Sequence, residues 1–194
     1  MSSKIDIANQ ALTALGATRI ISFDDESTEA DVMNTIYEPV KRALLRSYPW
    51  NCATRRAKLA QLTDPPVNEY NYQFALPEDC LKVLNVYVGD WEDVRESWEQ
   101  SEFRIEGKKL LTNSQNIIIK YILDIPEGTM DSHVEMAFVA KLASEAAYPI
   151  QGSPSNVQMF LQISELKTNE ARTTDNLESG TEIFITRRLD AVRG

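Results

Sequence analysis

Apolar residues Ile5, Ala8, Leu12 and Leu15 recur at helical spacing at the start of the chain, and Gly16 stands where a left-handed residue would end the helix. Ser3 and Asp6 supply a capping box, so the pattern predicts a short helix over about 3–15. After a linker at 17–27 the helical period resumes near Thr28, with Met33, Ile36, Tyr37, Val40, Leu44 and Tyr48 on one stripe, until Tyr48-Pro49-Trp50 closes it. Pro39 lies inside that stripe. It lacks the N–H its turn needs and its ring crowds the preceding carbonyl, so a kink or a break is expected there.

From Asn71 the period shortens to two, or to short buried runs. Strands are expected at 72–76, 81–88, 103–106, 109–112 and 116–123, with Glu106-Gly107-Lys108 as a tight hairpin turn. Gly89–Glu102 is rich in acids, carries Trp91 and Trp98, and reads as an exposed loop or a second hairpin. Helical period returns at Ser132, which forms a capping box with Glu135, and runs to about Tyr148. Ala137, Ala140, Ala143 and Ala147 give this helix a small-residue face suited to close helix approach. Ser153-Pro154 opens a last helix in which Met159, Phe160, Ile163 and Leu166 are expected to be buried. Beyond Lys167 that helix is almost wholly polar, so its end should fray or meet a partner. Thr181–Thr186 reads as a strand, followed by a basic tail.

The resulting fold class is α+β: a helical bundle of about four helices with an inserted small antiparallel β-sheet and a C-terminal strand and tail. The expected segments are 1–66 and 129–180 for the two parts of the bundle, 67–128 for the β region and 181–194 for the tail.

Charge narrows the function classes. With Lys+Arg 20 against Asp+Glu 29 the net charge is −9, which disfavours free-standing binding to duplex DNA, because phosphate affinity comes mostly from Lys and Arg displacing counterions. No apolar run approaches a membrane span, and the opening MSSKIDIANQ lacks a signal-peptide core, so synthesis in a cytoplasm without membrane attachment is expected. Cys52 and Cys80 have no CxxC or His companion and read as reduced thiols.

Catalytic constellations are not evident. His133 is the only histidine, without a metal-spaced companion, and reads as a surface helix residue. There is no nucleophile elbow, Walker A, dinucleotide-binding or zinc-protease motif. Cys52 beside Arg55 and Arg56 has no partner base and reads as a buried thiol. Asp24, Asp25, Glu26, Glu29 and Asp31 lack calcium-loop spacing and the turn glycine, and read as a solvated acidic first turn. Glu78 and Asp79 could serve a small-molecule enzyme, but no pair of groups with a chemical logic accompanies them. No cofactor and no metal is expected.

The more informative feature is an inversion of charge. Residues 24–38 hold six acids and no base, whereas 39–63 hold six bases (Lys41, Arg42, Arg46, Arg55, Arg56, Lys58) and no acid. One reading is head-to-tail packing, with acidic and basic ends of successive copies meeting in a ring. The other is that acids at a helix N-terminus and bases at its C-terminus complement the helix dipole. A nucleic-acid patch is a third, weakened by Trp50 being its only flanking aromatic.

Residues 9–51, NQALTALGATRIISFDDESTEADVMNTIYEPVKRALLRSYPWN, resemble the N-terminal half of the tail tubular protein A family, the head-to-tail adaptors of short-tailed bacteriophages. Further similarities are FALPEDCLKVLNV at 74–86, FRIEGKKLLTN at 103–113, IIIKYI at 117–122 and MDSHVEMAFVAKLASEAAYPI at 130–150. The resemblance spans nearly the whole chain and rests on packing and turn patterns.

It implies a non-enzymatic structural protein at the head–tail junction of the virion. Its copies would form a dodecameric ring under the portal protein, carry the tail nozzle or tail-tube protein on the far side, and let DNA pass without binding it specifically. Carried over, Arg187, Arg188 and Arg193 in the C-terminal tail would dock on the portal, and the sheet region with Trp91 and Trp98 would face the tail. Asp24, Asp25, Glu26, Glu29 and Asp31 would lie in the lumen or between subunits, where acids repel phosphate, as would parts of 90–102. Lys41, Arg42 and Arg46 would meet the neighbouring subunit. The competing expectation is a cytoplasmic scaffold or regulatory module that binds a protein partner and has no catalytic activity.

Overall fold

The computed structural model of the chain describes residues 2–67, 69–88 and 99–178. Helix α1 (Lys4–Ala14) is closed at its start by the expected box, in which Ser3 caps the Asp6 amide and the Asp6 carboxylate returns to the Ser3 amide. Its buried face is Ile7, Ala8, Ala11 and Leu12. Helix α2 (Thr28–Ser47) starts from Ser27, whose hydroxyl accepts from the Ala30 amide.

Pro39 does not break α2, which runs as one element through it. Pro39 and Thr35, whose carbonyl loses its helical donor, both lie on the exposed face, where water can take the missing bond. The same holds for Pro149 in α3 (Ser132–Gln151), which continues past the expected end at Tyr148 and stops at Gly152 in the left-handed region, φ 64°. The cap at the start of α3 is Asp131, not Ser132: Asp131 accepts from the His133 amide, while Glu135 reaches across to accept from Ser2 Oγ at 2.6 Å.

The β region forms two antiparallel sheets where one was expected. Strands β1 (Thr54–Lys58), β3 (Cys80–Val88), β4 (Glu99–Gln100) and β7 (Ile117–Leu123) make a sheet of order β1-β7-β3-β4. Strands β2 (Tyr72–Ala75), β5 (Phe103–Glu106) and β6 (Lys109–Thr112) make a second, of order β2-β6-β5. The β5–β6 hairpin pairs Glu106 with Lys109 and turns on Gly107 at φ 59°, a conformation that favours glycine. β1 begins before the expected β segment, because Thr54–Lys58 pairs with β7 from Ile122 back to Ile118.

Two hydrophobic cores result, and β7 walls both. Ile117, Ile119 and Tyr121 point to one side and join Leu59, Phe74, Val86 and Leu110 between the sheets. On the opposite face Ile122 enters the bundle core with Leu12, Tyr37, Leu44, Trp50, Phe138 and Leu142. Tyr37 packs edge-on against both Phe23 and Phe138, with ring centroids 5.5 and 5.1 Å apart.

Helix α4 (Pro154–Glu178) lies against α3 but buries a different stripe from the expected one. Phe160 is buried as predicted, whereas Met159, Ile163 and Leu166 are 48%, 39% and 57% exposed. The buried face is Phe160, Ser164, Ala171 and Asp175. The buried side of α3 includes Ala137, Ala143, Ala146 and Ala147, and such a small-residue surface brings the partner helix close enough to favour Ser and Ala over Ile and Leu. The polar end of α4 does not fray: it stays helical to Glu178.

Candidate functional site

Four places gather the polar chemistry of the described residues. The first is the acidic end of α2. Phe23–Thr28, Asp31 and Asn34 line an open concavity of about 590 Å³. Asp25 builds its rim, accepting from the Ile21 and Ser22 amides at 2.7 and 3.1 Å, while Asp24, Glu26 and Asp31 are exposed. Glu38, about two turns of helix beyond Asp31, is paired with Lys4 at 3.0 Å. The Lys4 ammonium also lies 4.8 Å from the Phe23 and Tyr37 ring centres. Asp24, Asp25, Glu26, Glu29 and Asp31 thus lie together at the N-terminal end of α2.

The second is the basic end of α2, and here the expectation is corrected in part. Lys41 is buried, and its Nζ lies 3.3 Å from both Asp124 and Glu127 in the segment after β7. It is engaged inside the chain and does not present a surface to a neighbour. Arg42 shares Asp124 at 3.1 Å yet keeps more than half of its side chain exposed, and Arg46 donates to the Leu81 carbonyl at 2.6 Å. The Tyr37 hydroxyl is buried beside Glu127; burial first, and the Glu127 charge second, hold its pKa far above the ordinary tyrosine value. Asp124 and Glu127 escaped sequence reasoning, since nothing in LDIPEG links two isolated acids to a lysine more than eighty positions earlier.

The third joins the end of α4 to the turn after α2. Asp175 accepts from the Asn51 amide at 2.9 Å, Asn51 Nδ2 donates to the Asp175 carbonyl at 2.8 Å, and the Tyr48 hydroxyl donates to Asn176. Arg172 stacks over the Tyr48 ring at 5.6 Å. The partner that the polar end of α4 called for is therefore in the same chain. Burial raises the Asp175 pKa, opposed by the Asn51 amide bond and reinforced by Glu178 and Asp131. A carboxyl whose folded pKa is raised binds more protons folded than unfolded, so stability declines as pH rises from its unfolded pKa through the folded one. Asp175→Asn keeps an acceptor for Asn51 without the charge. It is expected to raise the urea midpoint at pH 7 relative to the parent, with the advantage fading as pH falls through the raised folded pKa and gone below about 4, the unfolded value.

The fourth is the face of the larger sheet that carries Arg56 opposite Lys120, with Lys120 opposite Asn85 and Lys58 opposite Ile118. Arg56 and Lys58 are exposed, as are the neighbouring Arg55 and Lys82. Arginine and lysine on an edge strand guard against edge-to-edge pairing, and their presence in β1 hides the strand from a hydrophobic-period reading.

Cys52 and Cys80 are free and half-buried, and burial pushes both thiols up, away from nucleophile chemistry. His133 is exposed at the start of α3. Among the described residues no group of three or more His, Cys, Asp or Glu side chains could hold a metal ion, and no helix is long and apolar enough to cross a membrane. Trp91, Trp98, the strand expected at 181–186 and Arg187, Arg188 and Arg193 lie outside the described residues. No protein-family model matches the chain, and no curated protein matches it.

Proposed function

We propose that the chain is a head-to-tail adaptor of a bacteriophage virion. In this reading its copies form a ring between the portal and the tail nozzle or tube, and it acts through its surfaces without a reacting centre. The observation that carries the reading is the separation of charge along α2. At one end Asp24, Asp25, Glu26 and Asp31 line an open surface; at the other end of this 20-residue helix, whose rise is roughly 30 Å, Arg46 is exposed, and Arg55, Arg56, Lys58 and Lys82 are exposed in the strands. A polarised body of this kind suits heterologous contacts, in which unlike ends of successive copies meet and the series closes. An acidic surface facing the lumen repels DNA phosphates and so leaves the passage free of tight binding. Arg187, Arg188 and Arg193 are the proposed portal contacts, and Trp91 and Trp98 the tail-facing ones.

Virions assembled with the Asp24→Lys, Glu26→Lys and Asp31→Lys substitutions test the lumen assignment. Asp25 is left intact because it holds the turn. DNA release in a dye-access assay should slow several-fold, since three reversals replace repulsion with phosphate attraction. Release at the parent rate would remove these residues from the channel. Particles assembled without the protein should lose their genome and lack tails; tailed, filled particles would refute the adaptor reading itself.

A further inference from the structure

We infer that the outer face of α4 is a self-complementary surface on which a second copy of this chain packs its own α4 in antiparallel orientation. The evidence is the exposed stripe itself. Met159, Ile163, Leu166 and Leu177 are 48%, 39%, 57% and 83% exposed. With Glu170 and Thr173 they follow one another at alternating spacings of four and three, the seam spacing of a helix that faces another helix. At about 100° per residue this seam lies roughly 130° around α4 from the buried Phe160, Ser164, Ala171 and Asp175 face. The helix therefore carries two packing seams, and the more apolar one faces outward.

Charge selects the occupant and its direction. The chain carries −9 overall, yet among the described residues of α4 the charges on or beside this seam are Lys167 and Glu170, paired with each other at 2.8 Å. A second copy therefore meets a locally neutral face. A parallel pair in register would set Glu170 against Glu170 and Lys167 against Lys167, which is unfavourable. An antiparallel pair centred on Thr168 sets Lys167 of each copy beside Glu170 of the other. The same register brings Met159 against Leu177, the two ends of the seam, Ile163 against Thr173, and Leu166 against the aliphatic stem of Glu170. The contact is two-fold and isologous, so it is not the heterologous ring contact proposed above and does not depend on it.

Sedimentation and thiol cross-linking of the full chain test this together. The parent should pass with concentration from 22.0 kDa to twice that mass. Ile163→Glu combined with Leu166→Glu should weaken pairing by at least about tenfold, since each buried apolar side chain contributes a decade or more. Both positions are exposed, so the helical circular dichroism of the single copy should not change. Under mild oxidation the double variant Met159→Cys with Leu177→Cys should give a covalent pair, while Met159→Cys alone should match the parent background from Cys52 and Cys80. A chain that stays single at all concentrations overturns the inference and leaves the seam to residues 179–194 or to another protein. Pairing that survives the Glu substitutions, or cross-linking by Met159→Cys alone, overturns it as well, the latter by showing a parallel contact.

Discussion

Trp50→Ala is expected to lower the unfolding free energy by about 3–5 kcal/mol, the cost of deleting a large buried aromatic whose site cannot fully collapse. Trp50 is completely buried at the point where α2 ends, the first strand begins and the end of α4 docks. Its ring lies 4.8 Å from that of Tyr48, and its indole N–H donates to the Leu44 carbonyl at 3.0 Å. That carbonyl is one of the last four of α2, which have no helical donor, so the tryptophan caps the helix as well as filling the core. Ser47 Oγ donates to the same oxygen at 2.7 Å. Trp50→Phe, which keeps most of the volume and leaves that oxygen one donor, should therefore cost only about 1 kcal/mol. Urea unfolding of both variants checks this ordering, and equal losses would mean that the hydrogen bond, not the volume, holds the junction.

Lys41→Met should destabilise by about 3 kcal/mol. Removing the lysine strands Asp124 and Glu127 in a poorly hydrated site, and an uncompensated buried charge is far more costly than a buried pair is favourable. Arg42 remains to partner Asp124, which places the loss at the lower end of the usual range. If stranded charge is the cause, adding Asp124→Asn and Glu127→Gln to Lys41→Met should recover most of the loss. If instead the triple variant is no more stable than the single, the lysine acts through packing of its aliphatic stem. Since this cluster ties α2 to the segment leaving β7, the single variant should also loosen the sheet from the bundle. Faster amide exchange in Ile117–Leu123 than in α1 would report that.

Much of the fold was legible because local signals agreed with the global ones. Ser3 and Asp6 cap α1 as their spacing predicts, the two-residue turn at Gly107 forms where the glycine permits it, and the α+β order holds. The failures have a common physical origin, in that tertiary context decided what local pattern could not. Pro39 and Pro149 do not end their helices because each faces solvent. Thr54–Lys58 is a strand although two arginines and a lysine interrupt its period, because β7 supplies the pairing. In α4 the apolar stripe predicts the buried face, yet Ser164 and Ala171 are buried with Phe160, and Met159, Ile163 and Leu166 turn outward.

The site was legible only as charge. The clustering of Asp24–Asp31 follows directly from their adjacency in the sequence. The engagement of Lys41 by Asp124 and Glu127 depends on a contact across the fold that no spacing rule encodes, and it removes one member of the basic set from the surface. Arg42, Arg46, Arg55, Arg56, Lys58 and Lys82 stay exposed, and the basic pole of the chain is made of these.

Electron microscopy of purified portal rings mixed with an excess of this protein bears most directly on the proposed function. Added density is expected on one face of the portal, closed into a ring with one copy of this chain per portal subunit. Portal rings that remain bare at saturating protein, in conditions where the chain is folded, would contradict it.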